Sequence, residues 1–198
     1  GIDITHLAVT LMKTRLWNAF GEDLPFDVVG EPVSVPDAQS LAASDPYQFQ
    51  WWALGLVGAR PVETKKGADK GIDGRLYFHD DGPGGKTKQV ILSVKAGHTS
   101  VAHLRDLRGV LDREGAEIGV LITMESPTKP MRTEAASAGF YDSPWGGQHR
   151  RLQILTVAQL LDGWKIDMPA SRGNVTFKKA TRVKETATTP TLENLMVE

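Results

Sequence analysis

The sequence predicts an α/β fold in which a central mixed sheet is flanked by helices on both faces. Two observations carry this reading. From residue 46 onward the chain runs helix, three strands, helix, strand, helix, strand, and the helix–strand alternation of the second half suits strands joined by crossover helices. Segments such as "AEIGVLITM" are short, apolar and rich in β-branched residues, the composition of a strand buried in a sheet.

Each element follows from local signals. In "GIDITHLAVTLMKTRLWNAFG" the end of a strand leads into a helix. Thr5 is its cap, Leu7, Ala8, Leu11, Met12 and Ala19 recur near helical spacing, and Gly21 closes it. Pro25, Pro32 and Pro36 argue for a connector over residues 22–45, with room for a short helix from Pro36 to about Ala43. Ser44, Asp45 and Pro46 open a strongly apolar helix carrying Tyr47, Phe49, Trp51, Trp52, Leu54 and Leu56, ended by Gly58. "ARPVET", "GIDGRLYFHD" and "KQVILSVKAG" read as strands, the last two separated by the turn "DDGPGGK". "SVAHLRDLRGVLDREG" is an amphipathic helix between Ser100 and Gly115. After "AEIGVLITM" come a helix with Pro130 near its start, the strand "LQILTV" and the short helix "VAQLLDGW". The periodic pattern fades after Met168. The expected division is an N-terminal strand–helix appendage and linker at 1–45, a folded domain at 46–168 and an extended tail at 169–198.

Composition narrows the function classes. The chain has 198 residues, a net charge of -1 and no cysteine, so disulfides and thiolate metal sites are excluded. No apolar run reaches the length of a membrane span, and the expectation is a cytoplasmic protein. The charge is uneven. Residues 1–59 carry two basic against seven acidic side chains, residues 60–113 carry eleven against seven, and residues 114–198 carry ten of each. The basic excess lies where a phosphate backbone would need positive potential.

That basic region holds the chemistry. Asp69 and Asp73 sit in a glycine-rich turn, and Lys95 interrupts an apolar strand between Val94 and Ala96. Metal-assisted phosphodiester hydrolysis uses a divalent cation held by hard oxygen ligands, and a lysine near the attacking water can orient it or take its proton. Strands keep such groups in register. A "GxDxG" turn by itself is a common structural device. The turn, the strand and the "SVK" that follows make the combination informative.

"GADKGIDG" followed by "ILSVKAG" resembles the PD-(D/E)xK nuclease superfamily, closest to its Mrr-like restriction endonuclease branch, over about residues 46–165. The resemblance implies a restriction-endonuclease-like core and a Mg²⁺- or Mn²⁺-dependent endonuclease acting on double-stranded DNA, as part of a restriction-modification system. It implies Asp73 as metal ligand and Lys95 as catalytic lysine. Asp69 and the Val94 carbonyl would be further ligands. Two positions depart from the pattern: Ser93 stands where an acid or amide precedes the lysine, and Gln50 stands where the helix carries Glu; both are kept as candidate catalytic residues, with Gln50 expected to reach into the cleft from its helix. Both remove negative charge, so a non-catalytic DNA-binding or interaction module that keeps the fold is the alternative. Lys66, Lys70, His98 and Arg105 are the candidate DNA contacts.

The first residues are also similar to a segment of DNA amino-methyltransferases, in which an acid at the position of Asp3 binds a cofactor ribose. No glycine-rich cofactor loop or "DPPY"-type motif occurs, so this segment is not expected to complete a cofactor site. It suggests a methyltransferase or other restriction-system domain as partner, and a homodimer is a further expectation. The scattered histidines lack any metal-binding spacing. His149, Arg150 and Arg151 form a small basic cluster. Of Trp51 and Trp52, at least one belongs to the core.

Overall fold

A computed structural model describes residues 3, 5–21, 24–62, 71–81 and 85–170. Its elements are α1 (His6–Phe20), α2 (Val35–Ser44), α3 (Pro46–Leu56), β1 (Arg60–Pro61), β2 (Gly74–Phe78), β3 (Lys88–Lys95), α4 (Val101–Glu114), β4 (Ile118–Thr123), α5 (Lys129–Ser137), β5 (Phe140–Asp142), β6 (Gln148–Arg150), β7 (Leu152–Thr156) and α6 (Val157–Leu161).

The helix boundaries have chemical causes. The Thr5 hydroxyl accepts from Ala8 N–H at the start of α1, Ser34 accepts from Asp37 N–H at α2, and Asp45 Oδ1 accepts from the amides of Tyr47 and Gln48 at α3. At α4 the His103 imidazole reaches back and accepts from Ser100 N–H at 3.1 Å, and Gly115 ends the helix with φ of 61°.

The main sheet has the order β1-β2-β3-β4-β7. β1, β2 and β3 pair antiparallel, while β3, β4 and β7 pair parallel, so the sheet is mixed. Odd-numbered β3 residues face one side and even-numbered residues the other. Ile91 joins Leu104, Leu107, Leu111, Leu121 and Leu152 under α4 and α5. Val90, Leu92 and Val94 join Phe49, Trp52, Leu54, Ile118 and Leu160 under α3 and α6. Both faces are thus covered, as an apolar parallel ladder requires.

The segment 1–45 is not uniformly peripheral. α1 packs on α3, and α2 sets the fully buried Ala38 into the core with Leu41 and Ala42 against it. The buried core therefore includes Ala38 of α2. The hairpin β5–β6 has no counterpart among the sequence-predicted elements, because three-residue strands around Ser143–Gly147 are too short to show a period. Of the expected tail, 169–198, all but residues 169 and 170 lie outside the described residues. Among the described residues no helix is long and apolar enough to cross a membrane.

Candidate functional site

The candidate site lies at the C-terminal end of β3. Asp73 stands one residue before β2, held by its backbone: its N–H donates to the Leu92 carbonyl at 2.9 Å and its carbonyl accepts from Val62 N–H at 3.0 Å. The β2–β3 ladder pairs Gly74 with Leu92, which sets Asp73 beside Ser93. The Asp73 carboxylate oxygen Oδ2 accepts from Val94 N–H at 2.6 Å and from the Ser93 hydroxyl at 3.2 Å. Ser93 and Val94 are both buried. Two protein donors therefore meet Oδ2 of this carboxylate.

Lys95 is two residues beyond Ser93, on the same side of the sheet, and pairs in register with Thr123 of β4. It is half-buried and forms no hydrogen bond or ion pair with a described residue. Asp73, Ser93 and Lys95 therefore share one face. Gln50 does not join them. Its helix α3 packs on the opposite face, with Phe49, Trp52, Ala53 and Leu54 against Val90, Leu92 and Val94. Gln50 makes no hydrogen bond to Asp73, Ser93 or Lys95. The Val94 residue contributes its N–H to Asp73.

The expected DNA contacts are divided. His98 is exposed and lies 3.5 Å from Glu125, and Arg105 is exposed and paired with Glu134 at 3.0 Å. Arg105 also lines a shallow groove of about 430 Å³ between α4 and α5, with Lys129 and Thr133. Asp69, Lys66 and Lys70 lie outside the described residues. At the N-terminus, Asp3 is engaged with Thr5, accepting from both its N–H and its hydroxyl at 2.8 Å.

The fit of a Mg²⁺ or Mn²⁺ ion can be tested on these donors. A hard divalent cation wants several oxygens, at least some of them anionic. Here Asp73 Oδ2 already takes two N–H or O–H donors, and Ser93 is a neutral hydroxyl that donates to it. Among the described residues no group of three or more metal-ligating side chains occurs. Among the described residues these donors do not make a set that fits the ion.

A second polar cluster escapes sequence reading. Asp80, fully buried, accepts from Lys88 Nζ at 2.6 Å and from the Tyr141 hydroxyl at 2.6 Å, while Lys88 also reaches Asp81 at 2.8 Å. Burial alone would raise the Asp80 pKa, but hydrogen bonds from Lys88, Tyr141 and Ser143 outweigh it and hold the carboxyl below its usual range. Burial and the neighbouring Asp80 push Tyr141 up to about 12. Burial would lower Lys88, but its two aspartates outweigh that and raise it. The cluster fastens the β5–β6 hairpin to the β2–β3 pair. No spacing announces it, since Tyr141 and Asp80 are 61 residues apart.

Comparison with known proteins bears directly on the chemistry. No curated protein gives a significant match. A family described as NACHT-associated inactive Restriction Endonuclease 1 matches residues 47–162. That description overturns the expectation of an active, metal-dependent deoxyribonuclease. It is compatible with the site, where the neutral hydroxyl of Ser93 donates to Asp73. The fold, the mixed sheet and the match over more than half of the sequence agree, and the chain belongs to the NACHT-associated inactive restriction endonuclease 1 family.

Proposed function

We propose that this domain is a non-catalytic recognition module that keeps the nuclease fold and uses the face around Lys95 to hold the backbone of double-stranded DNA without a metal ion. The observation that carries this reading is the Asp73 carboxylate, satisfied by the Ser93 hydroxyl and the Val94 amide. In a metal-dependent cleft, clustered acids repel phosphate until a cation neutralises them. With serine at position 93, and with Gln50 neutral and on the other face, that repulsion is reduced, and among the described residues Lys95 has no acidic partner. The basic excess of residues 60–113 supports the same reading. The "GxDxG" turn and the strand lysine support descent from an Mrr-like nuclease. The family's description as NACHT-associated supports a place beside a NACHT unit, with this module supplying recognition.

The test is fluorescence anisotropy of a labelled DNA duplex at several salt concentrations, in EDTA and in Mg²⁺, with plasmid nicking in parallel. The expected result is binding that is unchanged by Mg²⁺, no nicking, and a uniform loss of affinity in Lys95→Ala with a salt slope shallower by about one phosphate contact. Absence of binding in EDTA, or equal binding by Lys95→Ala, overturns the reading.

A further inference from the structure

The joint between α1 and α3 carries an inference separate from the DNA reading. Thr10 of α1 sits against Gly55 of α3 so closely that a Cβ on Gly55 would lie 2.5 Å from the Thr10 hydroxyl. His6, the first residue of α1, donates its N–H to Gln48 Oε1 of α3 at 2.9 Å. Its imidazole is folded into the joint with 13% of the side chain exposed, and Nδ1 is buried with no hydrogen-bond partner among the described residues. Glu31 Oε1 is 4.0 Å from Nδ1, but the other oxygen of Glu31 is bound by Lys13 of the same helix. Asp45, at the start of α3, is the remaining charged group acting on His6. Beside this cluster a cleft of about 280 Å³ opens between the helices, lined by Thr10, Lys13, Trp17, Glu31, Trp52 and Gly55.

We infer that this joint is a proton-sensitive clasp: α1 docks on α3 more tightly while His6 is neutral, and mild acid loosens it. Protonation within the joint would place a cation in a site shielded from water and on the same helix as Lys13. Glu31 and Asp45 favour the charged form, but Glu31 is already shared with Lys13. Burial is the largest influence, and the His6 pKa lies below its ordinary value. In the undocked helix the imidazole is solvated and titrates normally. For a base whose docked pKa is lowered, docking is at full strength above the ordinary pKa of about 6.5 and weakens as pH falls below it, by at most about tenfold per pH unit. The weakening stops where the docked imidazole also takes up its proton.

The test is amide hydrogen exchange over residues 6–20 of the full chain at pH values above and below the histidine range, corrected for intrinsic exchange, with NMR titration of the His6 imidazole. The expected outcome is protection of α1 that falls several-fold on acidification in the wild type and stays level in His6→Gln, with α4 unaffected in both. His6 titrating at or above the ordinary histidine value in the wild type overturns the inference, whatever the variant does. So does an equal pH response in His6→Gln.

Discussion

Replacing Ser93 with glutamate tests the account of the site most directly. The serine hydroxyl donates to Asp73 Oδ2 at 3.2 Å from a buried position. Ser93→Glu removes that donor, a hydrogen bond to a charged group worth about 1.5–3 kcal/mol. It also sets a second carboxylate near the first, and two like charges about 4 Å apart at an effective dielectric of about 20 repel by about 4 kcal/mol. Partial reorientation and uptake of a proton by the pair would relieve some of this, so the expected loss is about 3–5 kcal/mol at neutral pH. The assay is urea unfolding at pH 7 in EDTA and in millimolar Mn²⁺ or Mg²⁺. The variant should unfold at much lower denaturant in EDTA. It should recover in metal, because a cation bound only to the folded state at a hundred times its dissociation constant adds about 2.7 kcal/mol. Wild type should show no such metal response. Equal midpoints for variant and wild type in EDTA, or a wild type stabilised by the ion as strongly as the variant, would refute the reasoning.

Other perturbations follow from close contacts and from the buried network. In Gly74→Ala the new Cβ would meet Leu54 Cδ2 at 2.5 Å and the Arg60 carbonyl at 3.2 Å, so a loss of about 1–3 kcal/mol from overpacking is expected in thermal unfolding. Asp80→Asn leaves Lys88 with Asp81 alone and should cost about 3 kcal/mol at pH 7, measured by denaturant midpoint. The pH dependence has a definite sign. The folded carboxyl of Asp80 is held below the unfolded value of about 3.9, so its contribution is present above that value and is lost as pH falls through the lower folded pKa. The gap between wild type and Asp80→Asn should be flat from neutral to mildly acid pH and close only in strong acid. A gap that closes near pH 6 would contradict it.

Much of this arrangement was legible in the residues, and the limits have physical causes. Helices announced themselves through caps and stops such as Thr5, Asp45 with Pro46, and Gly115, because those residues act locally. Asp73, Ser93 and Lys95 were readable because strand alternation fixes which residues share a face. Gln50 was not, since α3 is apolar on several sides and spacing alone does not tell which sheet face receives it. Ala38 and the Asp80–Tyr141 contact were hidden for a related reason: their partners are distant in sequence and only the closed fold brings them together. The largest correction, from nuclease to a family described as inactive, came from the comparison with known proteins, and the serine at position 93 was the sequence feature that pointed the same way. The substitution was visible, while the hydrogen bond that gives it meaning was not.

A second bond to Asp73, from the Val94 amide, gives a reason for a nuclease-like motif to persist in a family described as inactive. The β2–β3 ladder ends at Gly74 opposite Leu92, and the next buried amide on β3 would lack a ladder partner there. Asp73 supplies it: the side chain accepts from Val94 N–H at 2.6 Å, while the backbone bonds Leu92 and Val62. An aspartate at this position fastens β3 to β2 and β1 whether or not a metal is present, so folding alone gives a reason to keep it. Asp73→Asn separates the two roles. The amide keeps an oxygen for one donor but loses the charge, turning a charge-assisted bond into a neutral one at a cost of about 1–2 kcal/mol. Asp73→Ala leaves the Val94 amide and the Ser93 hydroxyl without this acceptor and should cost about 2–4 kcal/mol, the larger loss of the two. Paired denaturation curves, each with and without Mg²⁺, should show this graded loss of stability and no change in metal response. A metal response in the wild type that both variants abolish would return Asp73 to the role of ligand.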